Sequence, residues 1–151
     1  MSLSFRKPVL TNIFEMRFIA EMDSRIPLDY DPHYGFTDAS IDDRLKFYQQ
    51  IKTDDFFEVA TDGTEVVAFH IVLKGHYPPD VKIGNVITLW VDSNYRGKGI
   101  AADLKARAET WAKTNGLAFL QTNVHKNNTR MLAINESNGY QKAYICLRKH
   151  L

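Results

Sequence analysis

A chain of 151 residues that is 44% hydrophobic is sized for one compact domain with a real core, and its formal net charge of +1 argues against a broad nucleic-acid-binding surface. The single cysteine, Cys146, cannot close an internal disulfide, and the five histidines form no HExxH pattern and have no cysteine pair beside them, so a zinc site is not expected. Apolar runs such as Val66-Val67-Ala68-Phe69 are too short to span a bilayer and no signal-peptide core opens the chain, so a cytoplasmic protein is the default expectation.

The opening Met1-Ser2-Leu3 is compatible with a cloning remnant and leaves open an extension upstream. Ile13, Phe14, Met16, Phe18, Ile19 and Met22 predict a first helix over 12–23. Pro27, Asp31-Pro32 and Gly35 then mark an irregular surface segment. Thr37 or Ser40 starts a second helix, with Ile41, Leu45, Tyr48 and Ile51 at helical spacing. Strands over 56–61 and 65–74 are joined through the hairpin signal Asp62-Gly63, and 75–80, with Pro78-Pro79, reads as a loop. The central strand, 82–92, is apolar on both faces in its second half, as a sheet covered by helices on each side requires. A helix over 99–114 aligns Ile100, Leu104, Ala108 and Trp111 and stops at Asn115-Gly116. A strand over 118–125 follows. Asn127-Asn128-Thr129 caps a short helix to 137, which Asn138-Gly139 ends. A last strand over 140–148 would bury Cys146 as a small apolar residue. This order defines a single α/β (α+β) domain over 1–151 with a mixed sheet and a βαβ unit at 86–125.

The most informative stretch joins the central strand to its helix: Val91-Asp92-Ser93-Asn94-Tyr95-Arg96-Gly97-Lys98-Gly99-Ile100-Ala101. Two glycines one residue apart let successive main-chain N–H groups converge on an anion at the positive end of a helix, with Arg96 and Lys98 beside it. An ordinary strand-to-helix turn with surface basic residues is the plainer alternative. Gly97-x-Gly99-x-x-Ala102 also fits a dinucleotide fingerprint. However, the turn before it is long, only one βαβ unit follows, and the strand 118–124 lacks the acidic residue that would hold a ribose.

Asn94-Tyr95-Arg96-Gly97-Lys98-Gly99 resembles the acetyl-CoA loop Gln/Arg-x-x-Gly-x-Gly/Ala of the Gcn5-related N-acetyltransferase (GNAT) superfamily, departing at its first position. A second block, Asn128-Thr-Arg-Met131-Leu-Ala-Ile134-Asn135-Glu-Ser-Asn-Gly139-Tyr140, is similar to that family's Asn-x-x-Ala-x-x-Leu-Tyr-x-x-x-Gly-Phe. Met131 to Asn135, with Thr122 and Asn123, further resembles the mycothiol-synthase-like branch, some of whose members carry two such domains in tandem. The resemblance covers about 86–140 and implies a mixed, mostly antiparallel central sheet with helices on both faces. It also implies acyl transfer from acetyl-CoA (coenzyme A) to a small-molecule amine or a peptide amine, and leaves room for a homodimer.

Carried over residue by residue, the resemblance assigns the main chain of Leu89 and Val91 to the pantetheine arm. It assigns the N–H groups of Arg96, Gly97, Lys98, Gly99, Ile100 and Ala101 to the pyrophosphate, and Asn128 to the pantetheine side. Asn128 has the plainer reading of a helix cap. The N–H of Val91 would polarise the thioester carbonyl. The family's usual base and acid are absent: 83–91 holds no acidic residue, the later base position is Asn123, and the usual Tyr is Asn135. Amides are poor acids and bases. Deprotonation would then pass through water to a carboxylate such as Asp92, Glu58 or Glu136, or the amine would need little help, or the domain would bind acyl-CoA without efficient turnover. Asp92 has the plain alternative of starting a turn, and His125 that of a surface residue. The segment Tyr30 to Phe36 is where the family builds its acceptor site; capping of the core is the alternative.

Overall fold

The computed structural model describes residues 1–151. Strands β1 (Leu3–Arg6), β2 (Phe56–Asp62), β3 (Glu65–Tyr77), β4 (Val81–Val91) and β5 (Leu120–Gln121) form one sheet in the order β1-β2-β3-β4-β5. Every neighbouring pair is antiparallel except β4 and β5, which run parallel with a helix between them. The helices are α1 (Ile13–Arg25), α2 (Asp38–Gln49), α3 (Ile100–Thr114) and α4 (Thr129–Ser137). None is long and apolar enough to cross a membrane.

Local chemistry explains most of these elements. Asn12 Oδ1 accepts from the N–H groups of Phe14 and Glu15 and so starts α1. Arg6 grips Glu15 with both terminal nitrogens, at 2.9 and 2.7 Å, and Val9 N–H donates to the same carboxylate. That clamp ties β1 to α1. Gly63, at φ +60°, makes the turn from β2 to β3 that other residues resist. On one face of the sheet Met16, Ile19 and Ala20 of α1 and Ile41 and Tyr48 of α2 cover Phe57, Val59, Phe69 and Ile71. On the other, Ile100 and Leu104 of α3 pack on Ala60, Ala68, Leu89 and Val91. Each fully buried Val, Leu, Ile, Phe or Met among them contributes roughly 1.5–3 kcal/mol.

Four sequence expectations are corrected. β1 was not expected, because four residues carry too little periodicity to announce a strand. The expected loop 75–80 is mostly hairpin: Lys74, Gly75, His76 and Tyr77 pair with Gly84, Ile83, Lys82 and Val81. Of the expected strand 118–125, only Leu120 and Gln121 form a ladder with β4, preceded by main-chain bonds from Ala118 N–H to Lys82 O and from Gly84 N–H to Phe119 O; nothing pairs after Gln121, because β4 departs from its partner beyond Asn85. The strand over 140–148 does not form. β5 is only two residues long and offers the terminal segment little edge, residues 141–151 stay exposed, and Cys146 is exposed rather than buried.

Candidate active site

The site begins where the sheet opens. Gly84 pairs with Leu120 and Asn85 with Gln121, and Gln121 Nε2 donates to Asn85 Oδ1 at 2.8 Å. Beyond that point β4 runs on to Val91 bound only to β3, leaving one edge free. Thr88 opposes Ile71 and Val86 opposes Val72, so Ile87 is an unpaired bulge near the fork. Asp92 N–H donates to Val67 O at 2.9 Å, while Val91 opposes Ala68. By the alternation of an antiparallel ladder, the main-chain groups of Leu89 and Val91 therefore face away from β3, into the opening. Arg96 Nε already donates to Val91 O there, at 3.2 Å.

The strand delivers the chain through a short 3₁₀ turn, Ser93–Tyr95, to the glycine loop. Asp92 accepts from Asn94 N–H at 2.8 Å, which is the turn-starting role. Gly97 and Gly99 adopt φ values of +74° and +82°, a region L side chains resist, with open space where a Cβ would stand. Gly99 is the N-cap of α3, and no side chain caps that helix. The contrast with the others is informative: Asn12 caps α1, Ser40 Oγ accepts from Thr37 N–H at the start of α2, and Asn128 Oδ1 accepts from Met131 N–H in α4. The first helical bond in α3 is Asp103 N–H to Gly99 O, so Ile100, Ala101 and Ala102 present free N–H groups beside the opening. Lys98 stacks over Tyr95, whose hydroxyl donates to Asp62.

Asn128 thus fills its cap role at the entrance to α4, and Met131 packs on the cluster of Leu89, Val91, Ile100 and Leu104. Asn123 is exposed on the unpaired chain after β5. Asn135 is only 5% exposed and its Oδ1 has no hydrogen-bond partner. Glu58 is taken up by Arg107, away from the opening. Of the early aromatic segment, Tyr34 donates to Ser24 O and Phe36 packs on the core, whereas Tyr30 stacks on His125 at 5.0 Å between ring centroids. Asp31 Oδ2 lies 3.9 Å from both His125 Nε2 and an Arg148 nitrogen. Asn127 Nδ2 donates to Tyr30 O, closing this segment onto the β5–α4 turn.

Sequence reading missed three features: the Ile87 bulge, Arg130, and the buried pair His70 and Lys105. Burial and nearby Arg96 hold the Arg130 guanidinium below its ordinary value, so two cations share this rim. His70 is fully buried, its Nδ1 within 2.8 Å of Thr88 O and its Nε2 without a partner; burial pushes it down to about 4. Lys105 is 2% exposed, and burial pushes it down to about 8. A lysine among small residues on the helix stripe Ala101, Lys105, Ala108, Ala112 was the available signal.

Residues 17–140 match the model of the acetyltransferase (GNAT) family, and the chain belongs to that family of acyl-transferring enzymes. No protein of curated function matches the sequence. The fold is shared with a transcriptional regulator from Bacillus halodurans C-125, at TM-score 0.78 and 19% identity over 99% of this chain and 100% of that one. It is shared with glucosamine-6-phosphate N-acetyltransferase from Arabidopsis thaliana, at TM-score 0.67 and 17% identity over 99% of each chain. AAC(6')-Iy in complex with the bisubstrate analogue CoA-S-monomethyl-acetylneamine matches at TM-score 0.70 and 15% identity over 100% of both chains.

Proposed function

We propose that this chain transfers an acetyl group from acetyl-CoA to an amine by direct attack in a ternary complex. The observation that carries the reading is the free edge of β4 at Leu89 and Val91 meeting the uncapped start of α3. An extended amide-bearing arm adds to such an edge as a strand would, and a diphosphate suits the N–H groups of Arg96 to Ala101. Asn128 flanks the arm while capping α4. Bound acetyl-CoA supplies an activated thioester carbonyl; the N–H of Val91, held by the sheet, is the donor assigned to its oxygen. The comparison protein bound to a CoA-containing bisubstrate analogue supports this class of ligand.

The acceptor enters from the side of Tyr30, Asp31 and His125. A partly buried carboxylate there attracts an ammonium and takes up its proton through water, since an ammonium has no lone pair with which to attack. Asn123 and Asn135 stand where the family's base and acid are usual, and Asp92 is held in its turn. Those two amides favour one competing reading, a domain that binds acyl-CoA without turnover. A thiol-release assay over a panel of amines separates the two. Turnover with at least one amine is expected; saturable coenzyme A binding with no turnover on any amine assigns the chain to the second reading.

A further inference from the structure

Behind the free edge of β4 lies a group of buried polar side chains that the binding scheme does not use. Lys105 follows Leu104, which packs with Leu89 and Val91, and its ammonium sits over Tyr140, 4.4 Å from the ring centroid. No carboxylate lies within ion-pair distance of it. His70, opposite Leu89 in the ladder, is close enough for the lysine charge to lower its affinity for a proton. Tyr140 N–H donates to Asn135 O at 3.0 Å, so the ring over the ammonium hangs from the residue with the orphaned Oδ1. Lys105 is therefore a buried ammonium on α3, lying over the Tyr140 ring and within electrostatic reach of His70 and Glu109, with no ion-pair partner.

We propose that Lys105 is the acid for the departing coenzyme A sulfur, replacing the tyrosine whose position Asn135 holds. This rests on the acetyl-CoA reading above. As the amine nitrogen bonds to the carbonyl carbon, the carbon–sulfur bond breaks and its electron pair goes to sulfur. Lys105 gives that sulfur one proton and becomes a neutral amine, which recovers a proton from solvent. The proton that the nitrogen sheds after the attack leaves separately, through water to solvent.

Three physical arguments support the assignment. An enclosed ammonium lacking an anion is unfavourable in the free protein, and the developing thiolate supplies the missing negative charge. Its depressed affinity, about 8, lies close to that of an ordinary thiol, which suits proton exchange between them. The groups facing it do not compete: His70, pushed down to about 4 by burial, is neutral near neutral pH, Tyr140 is pushed up to about 12 by burial, and Glu109, on α3 itself, only favours the charged form.

The test reads the thiol rather than turnover. Coenzyme A is bound to the whole protein and its thiolate absorbance is titrated against pH. The bound thiol is expected to ionise about one unit or more below free coenzyme A in the wild type and in Lys105→Arg, and to return to the free value in Lys105→Met. An unshifted or raised thiol in the wild type overturns the proposal whether or not the variants fold. So does a lowered thiol that persists in Lys105→Met. Failure of coenzyme A to bind the wild type at all refutes the acetyl-CoA reading itself, and is told apart by calorimetry on the same sample.

Discussion

Behind α1 and α2 the buried carboxylate of Asp23 accepts from Arg44 at 2.7 Å and from the Tyr48 hydroxyl at 2.6 Å, and the buried Asp55 accepts from the N–H groups of Lys52 and Lys74. Behind α3 and α4 the opposite holds. Lys105 has no anion, His70 Nε2 and Asn135 Oδ1 have no partner, and β4 leaves an edge unpaired. Burial is similar on the two sides, so the difference is in how far the polar groups are satisfied. One face of the sheet is built to hold together; the other retains unpaired donors, acceptors and charge, which is a stability liability unless a ligand completes it.

The contrast breaks most sharply at Asp23. Asp23→Ala strands the Arg44 guanidinium and the Tyr48 hydroxyl together, and chemical denaturation should show a loss of about 3–5 kcal/mol. A change within about 0.5 kcal/mol would show that the satisfied network contributes little.

The opposite sign is expected on the other face. Lys105 titrates at about 8 when folded, against its ordinary 10.5. The folded chain is therefore handicapped while the buried ammonium is charged, and regains stability as pH rises from 8 to 10.5. Lys105→Met should be more stable than wild type by about 3 kcal/mol below pH 8, with the gap closing by pH 10.5. His70, lowered from 6.5 to about 4, contributes stability that is complete above pH 6.5 and lost as pH falls towards 4, again about 3 kcal/mol. Denaturation curves across both windows check these signs. A Lys105→Met protein less stable than wild type at neutral pH contradicts the account of this face.

The smallest effect lies at the boundary between the regions. Asn128→Ala removes the cap on Met131 N–H and should lower stability by about 1 kcal/mol, as thermal melting can show. Coenzyme A affinity should fall with it if the amide also flanks the arm.

The same division governs what the sequence disclosed. The helices, the Gly63 hairpin and the Gly97–Gly99 loop were legible because caps, turns and 3.6-residue periodicity are written locally. The true extent of β5 and the absent terminal strand were not, because a strand is completed only by a partner far away in the chain. Asp92 and Asn128 took the plain structural roles set beside their functional ones. Lys105 escaped notice because its helix was read for apolar residues, and a charge inside that stripe has no local signature. Asn123 and Asn135 were both flagged as missing acids or bases, yet only Asn135 is buried.

The central claim is that the free N–H groups at the start of α3 and the free edge of β4 together hold coenzyme A. Titration calorimetry with coenzyme A, comparing wild type with Gly99→Asp, tests it most directly. The aspartate must adopt a φ of +82° and set a carboxylate where the diphosphate belongs. Saturable one-site binding by the wild type, weakened about a hundredfold or more in the variant, is the predicted result. Equal affinity in the two proteins, or no binding by the wild type, would contradict the account.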